Sequence, residues 1–259
     1  MNSPLWRVFK YTFYNLIRTK SVPGLAVLLF VVSLSLFYME SDPSRAGVSL
    51  LNIILFVVPL FNLIFALSHV YNSLEFLEVL SVQPIPRQAV FKGYCLGLAI
   101  ALAVAYLIGV GVPVLVFSWN YLGIQLILSG LLLGWIFCFI GAWIGMCVRD
   151  KSTGIGLGLL IWFYCSVIYD GLLLLLLWNF SDYPIEPIVL PLAALNPVDL
   201  GRIAVLLQLD LAALMGYSGA VYKEFFQSEQ GIFLSLLLMG IWIIIPAWFA
   251  YRAFLRKDF

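Results

Sequence analysis

Six apolar runs of roughly twenty residues each, joined by short polar segments, leave this chain few ways to fold. They cover residues 23–39, 48–71, 94–117, 123–148, 154–178 and 232–251. Each is long enough to cross a hydrocarbon core about 30 Å thick as a helix rising about 1.5 Å per residue. Charged residues make up only 10% of the chain and the mean hydropathy is +1.05, whereas soluble domains carry roughly 25% charge. The bilayer is therefore the expected solvent. Lipid offers backbone groups no hydrogen-bond partner, so each run must satisfy its own as a helix, and the fold class is all-α and polytopic.

The few charges orient the bundle. Placing residues 1–20, 72–92, 149–153 and the tail after 251 on the cytoplasmic side puts every one of the 14 Lys and Arg there except Arg45, Arg202 and Lys223. Glu40, Asp42, Asp182, Glu186, Asp199, Asp210, Glu224 and Glu229 then fall outside. This positive-inside bias predicts a multi-pass membrane protein with two cytoplasmic termini. Residues 1–259 form a single transmembrane domain, with no room for a separate catalytic one. No signal peptide precedes the first run, which should itself direct insertion.

Residues 5–20 carry Trp6, Phe9, Phe13, Leu16 and Ile17 at three- and four-residue steps, with Arg7, Lys10 and Arg18 beside them. That pattern predicts a helix lying in the headgroup region, aromatics inward and cations on anionic lipid. Small residues four apart recur at Gly93 and Gly97, Gly130 and Gly134, Gly141 and Gly145, and Gly154 and Gly158. Such pairs let helix backbones approach closely in lipid.

Catalytic motifs are sparse. No Gly-x-x-x-x-Gly-Lys is present, and the Gly154-Ile155-Gly156-Leu157-Gly158 run opens an apolar helix with no strand before it, so it reads as packing. One histidine, His69, cannot furnish a zinc-protease ligand set, and Gly216-Tyr217-Ser218-Gly219 lacks the spacing of a nucleophile elbow. Cys95, Cys138, Cys147 and Cys165 lie inside the spans and read as small apolar residues. Met39, Met146, Met215 and Met239 are too scattered for a copper ladder.

Polar residues within the spans are the candidate functional positions. Asn52, Pro59, Asn62, Ser68 and His69 mark the second span as facing protein or a hydrated seam. Glu75 and Glu78 are neighbours on a helix; with His69 they could form a metal or proton site, or they could meet a basic partner subunit. Asp170 in the fifth span needs hydration, protonation or a partner, as a functional group or as a structural hydrogen bond to another helix. Outside, Asn196-Pro197-Val198-Asp199 has the order of a helix start, within a loop over 179–230 expected to hold one or two short helices.

Several segments together resemble the six-helix ABC export permease superfamily. The loop after the second span reads Leu77-Glu78-Val79-Leu80-Ser81-Val82-Gln83-Pro84-Ile85-Pro86-Arg87, then Phe91-Lys92-Gly93. This is similar to that superfamily's Leu-Glu-x-Leu-Leu-x-x-Pro-x-x-Arg…Lys signature, with Glu75-Phe76 where Gly-Thr is usual. Leu133-Gly134-Trp135-Ile136-Phe137, the stretch from Asp150-Lys151-Ser152 through Trp162-Phe163 to Asp170, and Leu195-Asn196-Pro197-Val198-Asp199-Leu200-Gly201-Arg202 resemble, within it, the permeases that serve nitrous oxide reductase maturation. Gly201 stands where a bulkier residue is usual.

The resemblance implies a homodimeric permease that does not hydrolyse ATP. A separate cytoplasmic ATPase dimer would hold ATP and Mg and act on Glu75, Glu78, Gln83, Pro84, Pro86, Arg87 and Lys92. A periplasmic copper-maturation protein would meet an outer gate around Asn196, Pro197, Asp199 and Arg202. No cofactor, metal or nucleic acid is expected on this chain. The alternatives are a generic exporter of lipid, drug or polysaccharide, and an intramembrane enzyme or metal-binding protein using His69 with Glu75, Glu78 or Asp170.

Overall fold

The computed structural model describes residues 3–40, 42–179, 191–206 and 229–257. Among these, six helical runs are long and apolar enough to cross a membrane, at the six places the sequence marks. The first is α2 (Ser21–Met39), preceded by α1 (Pro4–Arg18). The second is α3 (Pro43–Asn72), followed by the short α4 (Leu74–Val82). The third runs through α5 (Arg87–Tyr106), a π turn π1 (Leu107–Gly111) and α6 (Val112–Phe117). The fourth is α7 (Tyr121–Cys147). The fifth passes from α8 (Lys151–Phe163) through a second π turn π2 (Tyr164–Ile168) into α9 (Tyr169–Asn179). After α10 (Pro197–Leu206), the last span lies within α11 (Glu229–Arg256). Asp182, Glu186, Asp210, Lys223 and Glu224, and any short helices over 180–190 and 207–228, lie outside the described residues.

Small polar side chains start several of these helices by accepting from orphan backbone N–H groups. Asp42 accepts from Ser44 N at 2.9 Å, Asn120 from Gly123 N at 2.8 Å and Asp150 from Thr153 N at 2.7 Å. Thr153 Oγ1 also donates to Asp150, and these bonds hold that carboxyl below its ordinary range.

The centre of the bundle is α3 packed on α7. Leu51, Ile54, Val58 and Leu63 meet Leu126, Leu133, Ile136 and Phe137, all essentially free of solvent. In lipid this packing rests on close backbone approach and on interhelical hydrogen bonds. A Cβ on Gly141 would stand 2.7 Å from the Leu63 carbonyl oxygen, and one on Gly158 would stand 2.6 Å from Leu67 Cδ1. Aromatic heads then bridge the helices: Trp135 Nε1 donates to Ala99 O at 3.1 Å, Tyr106 Oη to Leu126 O at 2.9 Å and Trp162 Nε1 to Phe56 O at 3.2 Å.

Two placements refine the sequence reading. First, α1 buries Val8, Thr12 and Leu16, and its backbone seats on α5, where a Cβ on Gly93 would fall 2.6 Å from Leu5 O. Trp6, from the aromatic line of the sequence, remains 49% exposed. This glycine pair thus docks α1, not another span. Second, Pro59 and Asn62 in α3 are buried, but Asn52 is exposed, so the polar stripe of the second span is only partly covered by this chain. Asn62 Nδ2 donates to Val58 O at 2.8 Å beside Gly134.

Candidate functional site

At one end of the bundle, four elements converge on α10. Asn196 caps it: Oδ1 accepts from Val198 N at 3.2 Å, and its amide Nδ2 donates to Asp199 Oδ2 at 2.9 Å and to the Cys165 carbonyl at 2.7 Å. Cys165 belongs to π2, so the irregular turn of the fifth span presents the carbonyl that receives the cap. One turn along, Arg202 Nη1 donates to Asp170 Oδ1 at 2.7 Å and reaches Asp199 Oδ1 at 3.4 Å. Tyr169 Oη donates to Leu192 O at 2.6 Å. Asn196, Asp199 and Arg202, read in the sequence as one element, and Asp170, read apart from them, form one network.

The network's far side explains Gly201. A Cβ there would lie 2.7 Å from Leu133 Cδ1 and 3.3 Å from Leu55 Cδ2. Both leucines stand near the middle of their helices, so α10 dips into the bundle instead of resting on its rim. Pro197, at the first turn, and Asp199 are buried with it. Burial lifts the Asp199 carboxyl from its ordinary 3.8 to about 6; bonds from Asn196 and the charge of Arg202 oppose the rise, and the Asp170 charge adds to it. One guanidinium between two carboxylates leaves a net negative, partly desolvated cluster facing the fifth span.

At the opposite end, α4 and the corner Gln83-Pro84-Ile85-Pro86 form a short ledge. Glu75, Glu78, Gln83, Pro84, Pro86, Arg87 and Lys92 are all exposed on it. Leu77 anchors the ledge, fully buried, while Val79 and Val82 project outward. Phe76 stacks on Tyr11 at 4.6 Å, joining α4 to α1, a contact with no signal in the sequence.

His69 takes a different environment from the carboxylates it was grouped with. Its ring lies parallel to Tyr94, with centroids 5.3 Å apart, and its buried Nε2 has no hydrogen-bond partner among the described residues. Asp170 instead faces Arg202. Among the described residues, no three His, Cys, Asp or Glu side chains gather closely enough to hold a metal ion.

Comparison with known proteins assigns the architecture. Residues 52–259 match the model of the ABC-2 family of transporter proteins. The chain belongs to that family. The permease is also similar to curated relatives described as probable ABC transporter permease protein NosY. One, from Stutzerimonas stutzeri, is 25% identical over 98% of both chains. Another, from Pseudomonas aeruginosa, is 30% identical over 65% of this chain and 66% of its own. The six-span bundle and its exposed ledge therefore belong to the membrane subunit of an ABC transporter.

Proposed function

We propose that this permease carries the stroke of a separate cytoplasmic ATPase to its outer face, in the service of copper-site assembly in nitrous oxide reductase. The observation that carries the reading is the attachment of α10 to the fifth span by the Arg202–Asp170 and Asn196–Cys165 bonds. A helix tied to its neighbour by an ion pair and a capped carbonyl moves with it as a rigid body. The ATPase engages the α4 ledge through Gln83, Pro84, Pro86, Arg87 and Lys92, with Glu75 and Glu78 meeting cations of that subunit. A second copy of the chain completes the membrane unit, with both termini cytoplasmic in a bacterial inner membrane and α1 lying along the inner headgroups. At the outer end, α10 and the chain around it meet a periplasmic copper-maturation protein. The similarity to NosY-type permeases supports this choice of client, and the species moved is a sulfur species, a metal or a mechanical signal.

The test is a spin label at Leu195, which is 62% exposed at the start of the α10 region, in permease reconstituted with its ATPase. ATP should change the Leu195–Leu195 distance in the dimer, and an ATPase-dead partner should abolish the change. A label that ignores ATP overturns the transmitter role. Loss of the permease with nitrous oxide reductase still fully copper-loaded would keep the transporter and favour a generic exporter.

A further inference from the structure

The ends of α4, α7 and α11 line a partly open cavity of about 630 Å³ that the transmitter reading touches only at Glu78. Arg149, Arg256, Lys257 and Glu78 line it together with the apolar Leu74, Met146 and Ala253. None of the three cations makes an ion pair among the described residues, whose salt bridges are both made by Arg202. A single cation at each helix C-terminus is ordinary, because it answers the negative end of the helix. Here two helix ends bring three cations over one partly enclosed space. Burial, together with the charge of Arg149, pulls the Lys257 ammonium below its ordinary range against the opposing influence of Cys147. Arg149 and Arg256 are exposed and Lys257 is half-buried, so three like charges converge at a partly solvated wall where an anion would relieve their repulsion.

We propose that this cavity is a binding site for a phosphate-bearing amphiphile, an anionic phospholipid of the inner leaflet. Its phosphate sits among Arg149, Arg256 and Lys257, and its glycerol end and chains follow Leu74 and Met146. The mixed lining favours such a molecule over a free anion, which would leave the apolar side chains uncovered. Basic pockets between spans on the cytoplasmic side suit phospholipid headgroups for this reason. Glu78 accepts a hydrogen bond from a headgroup hydroxyl, which favours phosphatidylglycerol over a bare phosphate ester. Because Leu74 and Glu78 belong to α4, the lipid bridges the ledge to the ends of α7 and α11. The assignment does not depend on the nitrous oxide reductase reading.

Cys147 supplies the assay, since it lines the cavity and is exposed, whereas Cys95 and Cys138 are buried and Cys165 is half-buried. Delipidated full-length protein in neutral detergent is labelled with a polar maleimide, and modification is followed at Cys147 by peptide mass. Short-chain phosphatidylglycerol at ten times its Kd should slow the reaction roughly tenfold. The matching phosphatidylcholine should not slow it, and R149Q/R256Q/K257Q should lose the protection while R7Q/K10Q on α1 keeps it. Equal protection by inorganic phosphate at the same concentration would reassign the site to a free anion and overturn the lipid. Protection by the ATPase alone, or by none of these, overturns the site altogether. Should the triple variant fail to fold, the wild-type comparison of the two lipids still decides.

Discussion

Arg202 donates to Asp170 across 2.7 Å while Asp199 waits 3.4 Å away on the other side, so a single guanidinium holds two carboxylates apart. Removing the cation is therefore worse than removing either acid. Arg202→Gln leaves two like charges facing each other in a site whose Asp199 side chain is only 6% exposed.

We predict that R202Q lowers stability by about 1–3 kcal/mol, the cost of leaving a buried polar partner unpaired, and that D170N costs less. The double variant D170N/R202Q should recover part of the R202Q loss. Thermal unfolding in nanodiscs measures all three, and additive losses would show that the pair is uncoupled.

The pH dependence of α10 follows from Asp199. Its carboxyl is lifted from 3.8 to about 6 in the folded state, so between those values the folded chain holds more protons than the unfolded one. Stability from this group is complete below its unfolded pKa and is lost as pH rises through about 6. The melting temperature should fall between pH 4 and pH 6.5 in the wild type, and D199N should flatten that part of the profile. A wild-type profile parallel to that of D199N would contradict the assignment.

Close approach at the glycines sets a third expectation. Gly93→Ala and Gly141→Ala push a Cβ to within 2.6 and 2.7 Å of a backbone oxygen, and each should cost about 1–3 kcal/mol by overpacking. A Cβ on Gly24 or Gly240 would meet nothing within 4 Å among the described residues, so alanine there should be neutral to stabilising. The G93A protein should in addition release α1, read as faster proteolysis after Arg7 or Lys10.

The Tyr11–Phe76 stack predicts coupling between α1 and the ledge. Y11A and F76A should each weaken permease-stimulated ATP hydrolysis by the partner, and the double variant should be no worse than either. A stacked pair is worth about 0.5–1.5 kcal/mol. Independent, multiplying losses would mean that the two rings act separately.

The spans and the helix start at Pro197 were legible because they depend on solvent and on local chemistry. Length and hydropathy suffice for α3 or α7, and the order Asn196, Pro197, Asp199 marks a helix start wherever it occurs. Asp170 was legible as a carboxylate needing a partner, but its pairing with Arg202 was not. What α1 would dock on was equally hidden, since an amphipathic stripe reports an apolar surrounding without saying whether lipid or Gly93 and Gly97 supply it. The π turns were hidden as well, because Tyr164 to Ile168 carry no residue that forbids an ordinary helix. The seating of α10 depended on the absence of a side chain at Gly201, which acquires meaning only beside Leu133 and Leu55.

Within α8 only Gly154 and Gly158 are buried, and no residue of π2 is. The fifth span packs mainly on α3, at Gly158 against Leu67 and at Trp162 against Phe56, and more slightly on α7 and α10. In the proposed stroke it would act as a beam resting on a knife edge, with α10 clamped to it beyond the seam on α3. A small tilt at the seam would become a larger sweep where Asp170 grips Arg202, so the same glycines that let two helices touch would also set the gearing of the machine.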